Sequence, residues 1–499
     1  MMNPDQILEL SLAGLRAALD ARRVTATAVV AACLERIAAD NTDGKALRAV
    51  IAVNPAATAA ARAWDAAKAQ GRAVPGALSG IPFLAKDNID TAAMPTTGGS
   101  LALARSVPPE DATVIRRLLD GGAILLGKTN LSELAASYGR LGYSAVGGQT
   151  VNPFNPLHDA AGSSSGSAVA VAARFAPFAL GTDTSGSIRA PASTTGTVGL
   201  RPTLGLTSRA GVIPLALSFD TVGAITRTVA DQAIVLDAIR GPDPADPATA
   251  EVTHPPEPFA AGLGGDALRS VRLGVVTNFL GRSAEVDAAL AAGRATLAAA
   301  GADLVEVRLP DRFEDLWSQV LEPIGTAEFR PQFDAYLSRL APGQPRDMAG
   351  FLRLLDSLTA GGTERINPAR YRGLREAFSA RAATPGYIAI LTRRMPALRA
   401  ELAGLFRHDR LDALIFATMD RPASLIGGCD AVHPASAAAD PYAAAYIAPA
   451  TGFPELSVPL GIVRGNLPIG LSLLGLPGAD AQLLRLGDAF ERLCPAPRC

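Results

Sequence analysis

Gly181-Thr-Asp-Thr-Ser-Gly-Ser187-Ile-Arg189-Ala-Pro191 follows directly on the short apolar run Phe178 to Leu180. Between Gly162 and Gly205 the chain is a lattice of Ser, Thr and Gly wrapped around that single apolar strand. Such a composition makes either a flexible linker or a tightly folded loop system. The Ala/Val run at 168–173 is helix-forming and strands flank the lattice, which favours the folded loops.

Working outward from this stretch, strands and helices alternate. Asn3-Pro4 caps a first helix, and Thr27 starts a second that runs to about Asp40. Ile81 to Ala85 reads as a buried strand that enters a loop at Lys86-Asp87-Asn88. Asp111 opens a helix that closes at Gly121-Gly122, Ala123 to Leu126 forms another strand, and Ser132 begins a further helix. Six prolines between Gly241 and Phe259 signal a boundary. Beyond it, Leu273 to Val276, a helix from about Ser283 to Ala300 closed by Gly301, and Asp303 to Leu309 make a strand–helix–strand unit. Residues 310–410 read as helical with charged faces, a cap or insertion. Leu456 to Leu474 is apolar, punctuated by Pro and Gly, and leads into a helix from Asp480 to Arg492. This alternation predicts an α/β architecture.

With 499 residues the chain exceeds the usual size of one domain, so length alone suggests two or three units. Its net charge of −1 points to no nucleic-acid or anionic-membrane partner. Cys33, Cys429, Cys494 and Cys499 show neither disulfide nor metal spacing, which fits a reducing compartment. The opening MMNPDQILEL lacks the pattern of a secretory leader, and no apolar run reaches the roughly 18 to 20 residues of a spanning helix. A cytoplasmic protein is expected.

Two motifs invite misreading. Gly122-Ala-Ile-Leu-Leu-Gly127-Lys128-Thr129 matches a phosphate-binding loop, yet its middle residues are those of a buried strand and cannot wrap a phosphate. Gly162-Ser-Ser164-Ser-Gly166 matches the nucleophile elbow of Ser-His-Asp enzymes. The downstream histidines His254, His408 and His433 lie in a Pro-rich linker, a charged helix and beside Pro434, none in a patterned loop after a strand. An esterase built on Ser164 stays open as an alternative.

The lysines are informative. Only Lys45, Lys68, Lys86 and Lys128 are lysines among 46 basic residues, so this chain writes Arg wherever any cation serves. A lysine kept in an apolar setting suggests a need for an amine that can lose its proton, which Arg cannot do.

Three segments, Gly80-Ile-Pro-Phe-Leu-Ala-Lys86-Asp-Asn88, Ala161-Gly-Ser163-Ser-Ser-Gly-Ser167 and Gly181 to Pro191, together resemble the amidase signature family. The resemblance extends through Gly127 to Glu133, Asp220 to Gly223 and Thr226 to Asp231, and resumes at Ala450 to Pro459 and Leu467 to Gly475. It covers most of 60–240 and 440–492, little of 250–435, and keeps the family's interval between Ser163 and Ser187. It implies one amidase signature domain over 1–499. Within it, 60–240 would form the catalytic core, 250–435 a variable substrate-facing region, and 440–495 the return to the core. The implied fold is a mixed, twisted central sheet between helical layers, with no metal and no cofactor.

The resemblance assigns Ser187 as nucleophile, Ser163 as a bridging serine preceded by a cis peptide bond, and Lys86 as base. A serine hydroxyl attacks well only when a neighbour takes its proton, and Ser-Lys pairs do this on other scaffolds. For Lys86 to be neutral its pKa must fall about three units from roughly 10.4, on the order of 4 kcal/mol, which burial could supply. Taken alone, Lys86 reads more readily as a strand-end cation paired with Asp87, a balance that the scarcity of lysine and the paired motifs reverse, and either serine could be a turn or cap residue. Backbone N–H groups of Thr184, Ser185, Gly186 and Ser187 are expected to converge as an oxyanion hole. Asp183 and Arg189 are expected to brace the loop, and Thr182 and Ser165 to extend the hydroxyl network around Ser163. Gly148-Gln149 and Tyr138 to Tyr143 are candidates for the acyl pocket, and His158 reads as a loop histidine.

The expected reaction is hydrolysis of a small-molecule or peptide carboxamide by a monomer or homodimer. Gly142 to Gln149 and Leu471 to Ala489 look most like the peptide-amidase branch of the family. Two rival readings stay open beside it: a glutaminase-type subunit of a transamidating complex, and a non-enzymatic α/β binding protein.

Overall fold

The computed structural model describes residues 2–72, 76–136, 140–362, 365–380, 383–427, 440–497 and 499. Its strands are β1 (Val50–Val53), β2 (Pro82–Lys86), β3 (Ile124–Thr129), β4 (Tyr143–Ser144), β5 (Gly148–Gln149), β6 (Phe178–Asp183) and β7 (Val198–Arg201). They continue with β8 (Thr221–Thr226), β9 (Arg272–Val276), β10 (Asp303–Val307), β11 (Ala413–Ala417), β12 (Glu455–Val463) and β13 (Leu467–Leu474). Apart from the small β4–β5 pair, they form one 11-stranded sheet in the order β1-β3-β2-β6-β8-β7-β12-β13-β11-β9-β10.

The sheet is mixed. β3, β2 and β6 run parallel, as do β11, β9 and β10, and the strands between them are antiparallel. β2, β3, β6, β7, β8 and β13 are buried at every residue. Successive side chains of a strand point to opposite faces, so both faces of the central sheet must be covered. Near β2 and β3 the cover includes helices 26–40 and 57–69, whose Val29, Val30 and Trp64 share a core with Phe83 and Leu125. Further along, helices 284–299 and 480–493 bring Leu290, Leu483 and Phe490 onto Leu273, Leu456 and Leu471.

The α/β expectation holds, and the strand–helix–strand unit at 272–307 is present as parallel β9 and β10 around helix 284–299. Several boundaries differ. The first helix ends at Glu9, and a second, Leu12–Asp20, starts on Ser11, which caps it. The next begins at Ala26 with Thr25 as its cap, because Thr27 instead donates to Asp65. Asp111 does not cap the helix Thr113–Asp120; its carboxylate accepts from the Ala92 amide. Ser132 starts only a short turn, Glu133–Ala135, with Leu134 and Ala135 at positive φ. Its hydroxyl accepts from the Gly142 amide rather than capping a helix.

The phosphate-loop lookalike is strand β3, and Gly127 is needed there for close packing: a Cβ would sit 3.1 Å from Val53 Cα of the neighbouring β1. Residues 310–410 are helical as expected, including 322–338, 348–360, 368–379 and 395–409. They are tied to the core where Tyr336 donates to Asp90 Oδ1 at 2.8 Å. Among the described residues no helix is long and apolar enough to cross a membrane.

Candidate active site

Parallel pairing of β2 with β6 (Ala85 beside Leu180) sets the C-terminal ends of the two strands side by side. That register carries Lys86 to Thr182. Lys86 is fully buried, and its Nζ lies 2.7 Å from Ser163 Oγ and 2.8 Å from Thr182 Oγ1. Asn88 Nδ2 donates to the same threonine oxygen at 3.0 Å. Burial pushes the Lys86 amine down to about 7, against the opposing pull of Asp183 and Asp220. The Lys86–Asp87 pairing does not form: Lys86 ends β2 and turns to Ser163 and Thr182, whereas Asp87 begins the turn that follows. Asp87 turns to Thr97 and to Lys128, whose Nζ is 3.5 Å away. Lys128 is also buried, with its amine lowered mainly by that burial.

Gly162 and Ser163 are joined by a cis peptide bond. Ser163 O accepts from the Ser132 amide at 3.0 Å, and the Ser164 amide donates to Ser187 O at 3.1 Å, which holds the two serine loops together. Ser187 is 6% exposed and opens onto a cavity of about 450 Å³. Among the described residues its hydroxyl has no hydrogen-bond partner, so the Ser163–Ser187 hydroxyl contact is not made in this conformation.

Asp183 accepts from the turn that follows β6. Its carboxylate accepts from the Gly186 amide at 2.9 Å, the Ile188 amide at 3.0 Å and Arg189 Nε at 3.1 Å. Arg201 Nη1 approaches Asp183 Oδ1 at 3.2 Å, and Arg189 also reaches Glu455 at 2.6 Å. Burial alone would raise the Asp183 carboxyl, but the two guanidiniums outweigh it and hold the group well below the usual range. Replacing Asp183 with Asn should cost about 3–5 kcal/mol, because it leaves a buried guanidinium without its counter-charge. Denaturant titration reads this, and a loss under about 1 kcal/mol would argue that the network is dispensable.

Two expectations are corrected. The Gly186 amide is not free to join an oxyanion hole, since the Asp183 carboxylate already takes it in the turn that Gly186 closes at φ +114. The Ser185 and Ser187 amides have no acceptor among the described residues, and Thr184 lies beside them with its hydroxyl on Asp220. Ser165 does not extend the hydroxyl network: it starts helix 165–172, and its Oγ donates back to Ala161 O at 2.6 Å.

Ser164 is fully buried and donates to Thr182 O at 3.1 Å. His158, His254 and His408 bind Ala423 O, Thr249 O and Asp409 respectively, so none serves Ser164; His433 lies outside the described residues. Tyr143 and Gln149 do not line the cavity, Gln149 being spent on Leu141 O and Thr150 O, and Tyr138 lies outside the described residues.

Sequence reasoning missed Asn88, Arg201, Asp220, Tyr442 and Glu455 as supports. Asn88, Asp220 and Glu455 stand inside the family-like segments and could have been questioned. Tyr442, whose hydroxyl meets the Gly162 amide at 3.1 Å from 280 positions away, gave no local signal.

An amine kept partly uncharged against a serine hydroxyl, beneath a cavity floored by another serine, suits acyl transfer from nitrogen, and the class is that of hydrolases acting on amide C–N bonds. The chain belongs to the amidase family, which its residues 28–484 match. It is 37% identical to the native peptide amidase of Stenotrophomonas maltophilia, with a TM-score of 0.86 and 98% of each chain covered. It is 36% identical to the A subunit of glutamyl-tRNA(Gln) amidotransferase from Chloroflexus aurantiacus, over 98% of this chain and 97% of that one. The structure of the corresponding Thermotoga maritima protein superposes with a TM-score of 0.71 at 26% identity, covering 99% of this chain and 95% of that one.

Proposed function

We propose that the protein hydrolyses a linear carboxamide to a carboxylate and ammonia or an amine through an acyl-enzyme on Ser187. One observation carries this reading: the Lys86 amine lies 2.7 Å from Ser163 Oγ and is brought down to about 7. Once neutral, the amine has a lone pair, and the same contact runs with the Ser163 hydroxyl donating. Ser163 takes the proton of Ser187 as the Ser187 side chain turns towards it; such contacts tighten when substrate binds. Ser187 Oγ then bonds to the amide carbon, and the negative oxygen faces the Ser185 and Ser187 amides beside Thr184. Collapse breaks the C–N bond, the relay returns the proton to the leaving nitrogen, and water repeats the attack on the ester.

On this reading residues 1–499 act as one amidase unit. Segments 60–240 and 440–495 build the machinery, 250–435 faces the substrate, and the enzyme works as a monomer or homodimer. A cytoplasmic setting accords with Cys33, Cys494 and Cys499 remaining unpaired.

The higher superposition with the peptide amidase than with the amidotransferase structure favours an enzyme that acts alone on small or peptide amides. The identity to the amidotransferase sequence supports a second reading, a glutaminase half that needs a partner. A fluorophosphonate probe followed by peptide mass spectrometry tests the first: Ser187 is modified, and ammonia is released from primary amides by the protein alone. Intact, unlabelled protein that turns over no amide would overturn it. Glutamine as the one substrate, turned over solely with an added partner, would establish the second.

A further inference from the structure

The cavity above Ser187 has a lopsided lining. One wall is apolar and aromatic: Phe219 and Phe329 are buried, and Trp317 is half-buried. Trp317 opens a five-residue π-helical turn, Trp317–Leu321, a form that recurs at functional sites, and its ring lies tilted at 5.5 Å from that of Tyr446. Tyr446 is anchored in turn by its hydroxyl on Asp440 at 2.8 Å. The indole is therefore held from behind rather than swinging freely.

The charged lining has its own asymmetry. Arg370 is 3% exposed, lies 5.4 Å from the Phe329 ring, and its charge opposes the burial that raises the Glu133 carboxyl. Glu322 and Glu376 are exposed on the same cavity and have no cationic partner among the described residues. A substrate entering therefore meets an apolar wall and a negative rim.

We propose that Trp317, Phe219 and Phe329, with Glu322 and Glu376 at the rim, select amides whose acyl group is bulky, apolar and not anionic. This rests on the amide-hydrolase reading and names its substrate class. Burying an aromatic side chain in place of a methyl group raises kcat/KM by about a hundredfold in a well-fitted apolar pocket. Each exposed carboxylate disfavours a negative charge roughly 6 Å away by about threefold at low salt, an effect that salt screens.

The test measures kcat/KM for N-acetyl-phenylalaninamide, N-acetyl-alaninamide and N-succinyl-phenylalaninamide, alongside fluorophosphonate labelling of Ser187. The acetylated phenylalanine amide is expected to exceed the alanine amide by about a hundredfold and the succinylated one by about tenfold. Trp317→Leu narrows the first ratio about tenfold, and Trp317→Ala does so more strongly. Glu322→Gln with Glu376→Gln, both at exposed positions, brings the second ratio to within about twofold, as does high salt. Labelled Ser187 and active enzyme with both ratios near one in the wild type would overturn the proposal. An unlabelled Ser187 with no amide turned over would instead strike the hydrolase reading beneath it.

Discussion

Ser187→Ala is expected to lower kcat by about a millionfold, the scale seen when an acyl-transfer enzyme loses its nucleophile. The same change should leave stability within about 0.5 kcal/mol, the usual range for substitutions that remove no buried partner. Both halves follow from one observation: the hydroxyl opens onto the cavity and is bonded to nothing among the described residues. A serine that merely capped a helix would show the opposite pattern, a loss of stability with little loss of rate. Steady-state turnover with a sensitive ammonia assay, paired with a denaturant melt, separates the two. Turnover within about tenfold of wild type would remove Ser187 from the chemistry.

Lys86→Met is expected to cut kcat/KM by about 10²- to 10⁴-fold, the contribution of a positioned base, without destabilising the fold. Burial holds the amine at about 7 in the folded protein, against 10.5 when exposed. Between these values the unfolded chain binds a proton that the folded chain has released, so raising the pH across this window stabilises the protein. Below about 7 the full cost of the buried charge is felt, on the order of 5 kcal/mol. Methionine of similar length removes that cost, which offsets the lost bonds to Ser163 and Thr182. In the wild type, kcat/KM should rise as pH increases through about 7, because the neutral amine is the active form. A flat wild-type profile between about pH 5.5 and 8.5, or a Lys86→Met enzyme within about tenfold of wild type, would exclude Lys86 as the base.

The signal for Lys86 was chemical economy. In a chain that uses Arg almost everywhere, a lysine at the end of an apolar strand marks a place where a removable proton matters. The same signal applies to Lys128, which is equally buried but pairs with Asp87 and donates to Ile89 O at 2.6 Å. Scarcity alone does not rank the two buried lysines. What separates them is direction: Lys86 points from its strand towards the serine loops, and Lys128 points to the loop at 89–97.

Misreadings had a common cause. Ser132, Ser165, Asp111 and Gly186 are residue types that satisfy backbone groups, and each has several such groups within reach. Ser132 took the Gly142 amide, Ser165 the Ala161 carbonyl, Asp111 the Ala92 amide, and Gly186 gave its own amide to Asp183. Local pattern sets the menu of partners, and tertiary proximity makes the choice.

By itself the sequence determined the alternation of strands and helices and the three loops that meet at the site, and its resemblance to the amidase signature family singled out Lys86, Ser163 and Ser187 as the candidates. These are readable because hydrophobic period, turn residues and side-chain chemistry are properties of short segments. The tertiary structure alone decided which supports those residues have and what surrounds the cavity. Glu455 reaches Arg189, Tyr442 reaches Gly162, and Trp317 and Arg370 line the cavity onto which Ser187 opens only because a mixed sheet folds distant segments onto one strand end. Burial and charge pairing, the forces that set the Lys86 amine, arise from those long-range contacts and have no counterpart in any single stretch of chain.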